Sequence, residues 1–277
     1  MNETRDTFRQ SVVLISATLA VVGAFIGSGA AGGTPIQDAA GGALAADATP
    51  IAPGGPAFAI WTPIYAGLLA YAVWQSLPKQ KTDHRQRRLG YPIAASLILN
   101  AAWILSIQFG FLGASVPIIA ALLAVLVLAF RITIASRPKG IVESIVADGT
   151  VGLYLGWACI ATAANVTAFL VAAGFRGLGL GPDLWSVIVL AVACLVGVLV
   201  AVWGYGRIAP TVSLSWGLAW VAVARLTGDL HSTPTAIAAI AAVAVVITAT
   251  VAIRAHTPMR SWRDRPEAAP RTTSTMP

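Results

Sequence analysis

The chain has 277 residues, of which 57% are hydrophobic and only 10% charged, and it carries a net charge of +7. That balance excludes a soluble fold with a single anchor and points to a polytopic α-helical membrane protein. The basic residues punctuate the apolar runs as topology signals do and build no groove-like patch, so nucleic acid is not an expected partner.

Residues 1–10 read as a short polar cytoplasmic head with Arg5 and Arg9. Ser11 to Ala30 is the first apolar run. Positive residues precede it and Ala43-Leu44-Ala45 resembles a cleavage site, but the run is long for a signal peptide and that site lies far beyond it. A retained first helix is expected, with Gly23 and Gly27 forming a small packing face. Ala31 to Pro56 is a Gly/Ala/Pro-rich loop without Lys or Arg, either a lid or a disordered connection. Ala57 to Leu77 forms the second span and runs into a basic cluster, Lys79, Lys81, Arg85, Arg87 and Arg88. Tyr91 to Gly110 and Ser115 to Ile134 form a tight pair. The fifth span lies within Ile145 to Ala173, and a Gly-rich loop, Gly174 to Pro182, follows it. Leu184 to Trp203, Thr211 to Arg225 and Thr235 to Ile253 make three more. The tail, 255–277, is basic, Pro-rich and expected to be disordered.

The expectation is therefore an all-α integral membrane protein with about eight transmembrane helices. Eight spans put both termini on one side, together with sixteen of the eighteen Lys and Arg residues; Arg176 and Arg225 alone fall opposite. The positive-inside rule then places the termini and the 79–88 loop in the cytoplasm, in a cell or inner membrane.

On the fifth span Tyr154, Trp157, Ala161 and Asn165 share one narrow stripe at 100° per residue. Polar groups in hydrocarbon need partners, so the stripe should face the bundle interior. By itself it reads first as helix–helix glue. The second span places Trp61, Tyr65, Leu68, Ala72 and Gln75 on one face, and the third places Ser96, Asn100, Trp103 and Ile107. Three successive faces that pair an aromatic with an amide or hydroxyl describe an apolar pocket for a flat ligand. Trp74, Trp185 and Trp203 fit interfacial belts, whereas Trp103, Trp157, Trp216 and Trp220 lie deep. The histidines His84, His231 and His256 lie in loops or the tail, so no intramembrane pair exists for a haem. Asp148 sits at the end of its helix, where a solvated or paired carboxylate is the expectation. Cys159 and Cys194 read as small buried thiols.

These residues resemble the TspO/MBR, or tryptophan-rich sensory protein, family. Its last helix carries P-Y-L-x-W-x-x-F-A-T-x-x-N, matched here by Tyr154-Leu155, Trp157, Ala161-Thr162 and Asn165, with Ile160 in place of Phe. Its second carries V-W-T-x-L-Y, against Ile60-Trp61-Thr62-Pro63-Ile64-Tyr65. Its third carries Q-x-x-L-N-x-x-W, against Ser96, Leu99-Asn100 and Trp103. The motifs cover about Ser11 to Ala173. The W-x-P-P-x-W segment is reduced to Pro50, Pro53 and Pro56. The resemblance implies a TspO-like five-helix core over 11–173, with three additional helices over 174–254. It also implies a sensory or tetrapyrrole-handling role, with a porphyrin- or sterol-like ligand and no required cofactor. Trp61, Tyr65, Asn100, Trp103, Tyr154, Trp157, Ala161 and Asn165 would line that site. The expected partners are the lipid bilayer, a hydrophobic small molecule and a second copy in a homodimer. A permease for an amphipathic solute and a porphyrin-degrading photo-oxidative enzyme are the alternatives.

Overall fold

A backbone in hydrocarbon must satisfy its own N–H and C=O groups, so each apolar run closes into a helix. In the computed structural model, residues 2–27, 34–36 and 38–257 are described; the tail expected to be disordered falls largely on 258–277, outside them. Among the described residues eight long helices form: α1 (Asn2–Gly27), α2 (Trp61–Gln75), α3 (His84–Gln108), α4 (Leu112–Ala135), α5 (Thr150–Ala172), α6 (Pro182–Trp203), α7 (Ile208–Thr227) and α8 (Thr233–His256). No strand occurs among the described residues.

Seven of these, taken with the turns that lead into α2 (from Gly55) and α5 (from Ile141), are long and apolar enough to cross a membrane, and α7 is the exception. Eleven of its twenty residues are buried, Thr211, Ser213, Ser215 and Arg225 among them. It lies between α5 and α8 and is walled by protein, so it need not be apolar all round.

Packing follows the order α2, α1, α3, α4, α5, α7, α8, α6, with α2 returning to the start of α5. The polar head is not separate from the first helix, because α1 begins at Asn2. Its first turns are held by Arg9, which donates to the carbonyls of Gln80 and Lys81, and by Gln10, which donates to that of Gln75. Gly23 and Gly27 face α3, where a Cβ on either would press on Ala101 or Ile104. The seam between the first five helices and the rest is closer still. A methyl on Gly156 would collide with the Pro210 carbonyl and the Ser213 hydroxyl, so α7 can nest on α5 only because that position lacks a side chain.

The N-terminus of α1, the 79–88 loop and the α6–α7 turn share one end of the bundle, the basic end. The C-terminus of α8 joins them there, where Arg254 donates to the Gly206 carbonyl. The 38–56 segment lies at the opposite, loop end. It is folded: Thr49 and residues 51–54 are buried. Gly54 N–H donates to the Trp220 carbonyl and the Trp216 indole donates to that of Ala57. Residues 28–30 of the expected first span and 31–33 and 37 of the expected loop lie outside the described residues.

Candidate functional site

The three motif-bearing faces meet. The Trp61 ring stands 5.5 Å from Tyr65, 5.7 Å from Tyr154 and 6.2 Å from Trp157, the last two edge-on. Edge-to-face pairs at this spacing suit the ring quadrupoles. Asn100 donates to the Tyr65 hydroxyl at 2.6 Å, and the Trp103 indole donates to Asn165 Oδ1 at 3.0 Å. Asn165 Nδ2 donates to Ser115 Oγ at 2.9 Å, whose own proton goes to the Leu112 carbonyl. All eight candidate residues therefore belong to one cluster spanning α2, α3 and α5, with α4 reached through Ser115. Asn165 acts there as a pin between three helices.

The cluster is closed and nearly full. Two voids remain, of about 30 and 10 Å³, and Trp103, Trp157 and Ala161 line both. A drug-sized ligand needs a space of about 300–1,000 Å³, so an occupied site requires something to move. The larger void is roofed by Ala43, Leu44, Thr49, Ala52 and Pro53 of the loop-end segment. Arg225 of α7 holds that roof, donating from Nη1 to the Thr49 carbonyl at 3.0 Å and from Nη2 to the Ala46 carbonyl. Two buried polar atoms in the cluster lack a partner, Asn100 Oδ1 and Trp157 Nε1, and both residues line the smaller void. An acceptor and a donor left bare in an apolar interior are costly unless something occasionally meets them.

A second polar assembly sits at the basic end. Arg85 of α3 pairs with Glu143 at 2.8 Å and with Asp148, and Arg207 reaches Asp148 at 3.1 Å. Gln86 donates to Glu143 at 2.7 Å while accepting from the Tyr71 hydroxyl. Asp148 lies in a π-helical turn, Ser144–Gly149, which widens the helix just where the carboxylate turns to meet its partners. Asp83 caps α3 by accepting from the N–H groups of Arg85 and Gln86, and it pairs with Lys139. Burial works to raise the Asp83 carboxyl, but Lys139 and those N–H groups outweigh it and hold it below its ordinary value. Burial lowers the Arg207 guanidinium despite its pairing with Asp148. The assembly is internally paired and joins α3 and the entry to α5 to the start of α7. The sequence flagged Asp148 but not its partners, because Arg85 and Arg207 read as topology charges. Among the described residues, no group of three His, Cys, Asp or Glu is placed to hold a metal.

A third feature had no sequence signal. A cleft of about 750 Å³ opens between α5 and α6, on the side of α5 away from the aromatic cluster, with Pro50 and Ile51 of the roof segment and Leu123 of α4 at its wall. Its depth depends on how two helices splay, which no local pattern records.

Fold and cluster together define a multi-span helical membrane protein with an aromatic core roofed by a loop. The chain belongs to the TSPO-like protein family, whose sequence model matches residues 13–253 and so runs through α6, α7 and most of α8. No curated protein and no solved structure matches the chain.

Proposed function

We propose that this protein is a membrane-embedded binding and sensory protein whose aromatic cluster takes a rigid hydrophobic molecule of porphyrin or sterol type. The observation that carries the reading is the pair of bare buried atoms, Asn100 Oδ1 and Trp157 Nε1, beneath the 43–54 roof. Lifting the roof would join the two voids and open the ring faces of Trp61, Trp103 and Trp157. The indoles would stack on the ligand plane, and Asn100 and Trp157 would meet its polar edge. The basic end would face the cytoplasm, in a cell or inner membrane, so that the roof opens on the other side.

Titration of the detergent-solubilised protein with protoporphyrin and with a sterol, read by tryptophan quenching, tests this. Saturable quenching by one of them, weakened in Trp157→Phe, is expected, with no loss of ligand under light and no flux in liposomes. Quenching that never saturates would overturn the binding reading. Ligand consumption would turn it to an enzyme, and flux to a permease.

A further inference from the structure

We propose that the cleft between α5 and α6 is a second, separate site, and that it holds one anionic phospholipid from the leaflet at the loop end. On α5 the lining runs from Cys159 to Val171 and on α6 from Pro182 to Val196. At 1.5 Å per residue that is a groove about 18–21 Å deep. One leaflet of a bilayer's hydrocarbon is about 15 Å thick, so the groove has the depth of an acyl chain and its glycerol. Its rim is open to the side. Leu170, Val171, Ile188 and Val192 are exposed apolar residues there, which gives a chain lateral entry from the membrane.

Polarity decides the orientation. Of the groove's three hydroxyls, those of Thr162 and Ser186 turn back onto the carbonyls of Ala158 and Pro182, and Thr167 lies toward the loop end of α5, on the side of the polar rim. At the loop end stands Arg176, exposed and in none of the ion pairs among the described residues. Beside it Trp185 donates to the Gly177 carbonyl at 2.7 Å and packs edge-on against Phe175. An arginine with an aromatic pair at headgroup depth, over a chain-deep apolar groove, suits a phosphate above an acyl chain. The other basic residue expected at this end, Arg225, is buried under the roof, which leaves Arg176 to meet the phosphate.

Native mass spectrometry of the full chain, released from nanodiscs of mixed phosphatidylglycerol and phosphatidylcholine, tests the site. Wild type should retain one phosphatidylglycerol. A basic side chain near a membrane surface is worth about 1 kcal/mol, so Arg176→Gln should cut the preference over phosphatidylcholine about fivefold. Val189→Phe/Val192→Phe, which fills the groove, should lose both lipids. Both variants should keep protoporphyrin quenching, because the aromatic cluster is untouched. Equal phosphatidylglycerol retention in all three proteins would overturn the proposal. So would displacement of that lipid by free oleate at equal affinity, or a dimer that disappears when the groove is filled. Arg176 is exposed, so its variant folds whatever becomes of the filled one.

Discussion

Ala161 shows how far a single residue can be read. Its small size admits two causes, close packing or room for a ligand. In the closed structure it lines both voids, and together these hold little more than a methyl or two. A phenyl ring at this position must push on Trp103 and Trp157, and overpacking of this kind costs about 1–3 kcal/mol. Ala161→Phe should therefore lower the thermal midpoint of the ligand-free protein, whereas Ala161→Ser should leave it nearly unchanged. Differential scanning fluorimetry of both variants checks this. An unchanged midpoint in Ala161→Phe would mean that the roof stands open without ligand. Asn165 carries the opposite lesson. Its amide oxygen accepts from Trp103 and its nitrogen donates to Ser115, so its place on the stripe is first explained by the joint it makes.

Among elements, the 43–54 segment depends most on the rest of the fold. Its apolar side chains are mostly small Ala and Pro, and the hydrogen bonds that tie it down come from α7: the Trp220 carbonyl, the Trp216 indole and the Arg225 guanidinium. Hydrogen bonds from a charged donor are worth about 1.5–3 kcal/mol, enough to decide whether a short segment stays down. In Arg225→Leu the backbone amides of 43–54 should exchange with deuterium faster, while α3 and α4 keep their protection. Faster ligand association should accompany the change. Unchanged exchange would show that the Gly54–Trp220 and Trp216–Ala57 bonds hold the roof by themselves. The loop is thus not a free connector of the first five helices; α7 holds it.

For the molecule as a whole, the division of charge between the two ends follows from helix count and connectivity. Arg9, Arg85 and Arg207, far apart in sequence, meet the same end of the bundle. If that end is cytoplasmic, a cysteine at Lys79 should resist an impermeant maleimide in intact cells while one at Asp47 reacts. Both are exposed positions, and the background should be Cys159→Ser/Cys194→Ser. Labelling of Lys79→Cys from outside would reverse the topology.

The sequence by itself determined the class, the run of helices and the membership of the aromatic cluster. These rest on local periodicity: an apolar run of twenty residues must be a helix in lipid, and a 100° stripe must share a face. Trp61, Asn100, Trp103, Trp157 and Asn165 were legible for that reason. Gly152 and Gly156, a small-residue pair the sequence analysis did not single out, mark the seam with α7. Only the tertiary structure decided which faces meet tightly and which splay. It closed the aromatic cluster to voids of a few tens of Å³ and left the large space on the other side of α5. It buried Arg225 under a loop more than 170 residues away in sequence and paired Arg207 with Asp148. Such outcomes depend on the angle and depth at which two helices cross. Those are set by the sum of side-chain volumes along a whole interface, and no window of one helix contains both sides of it.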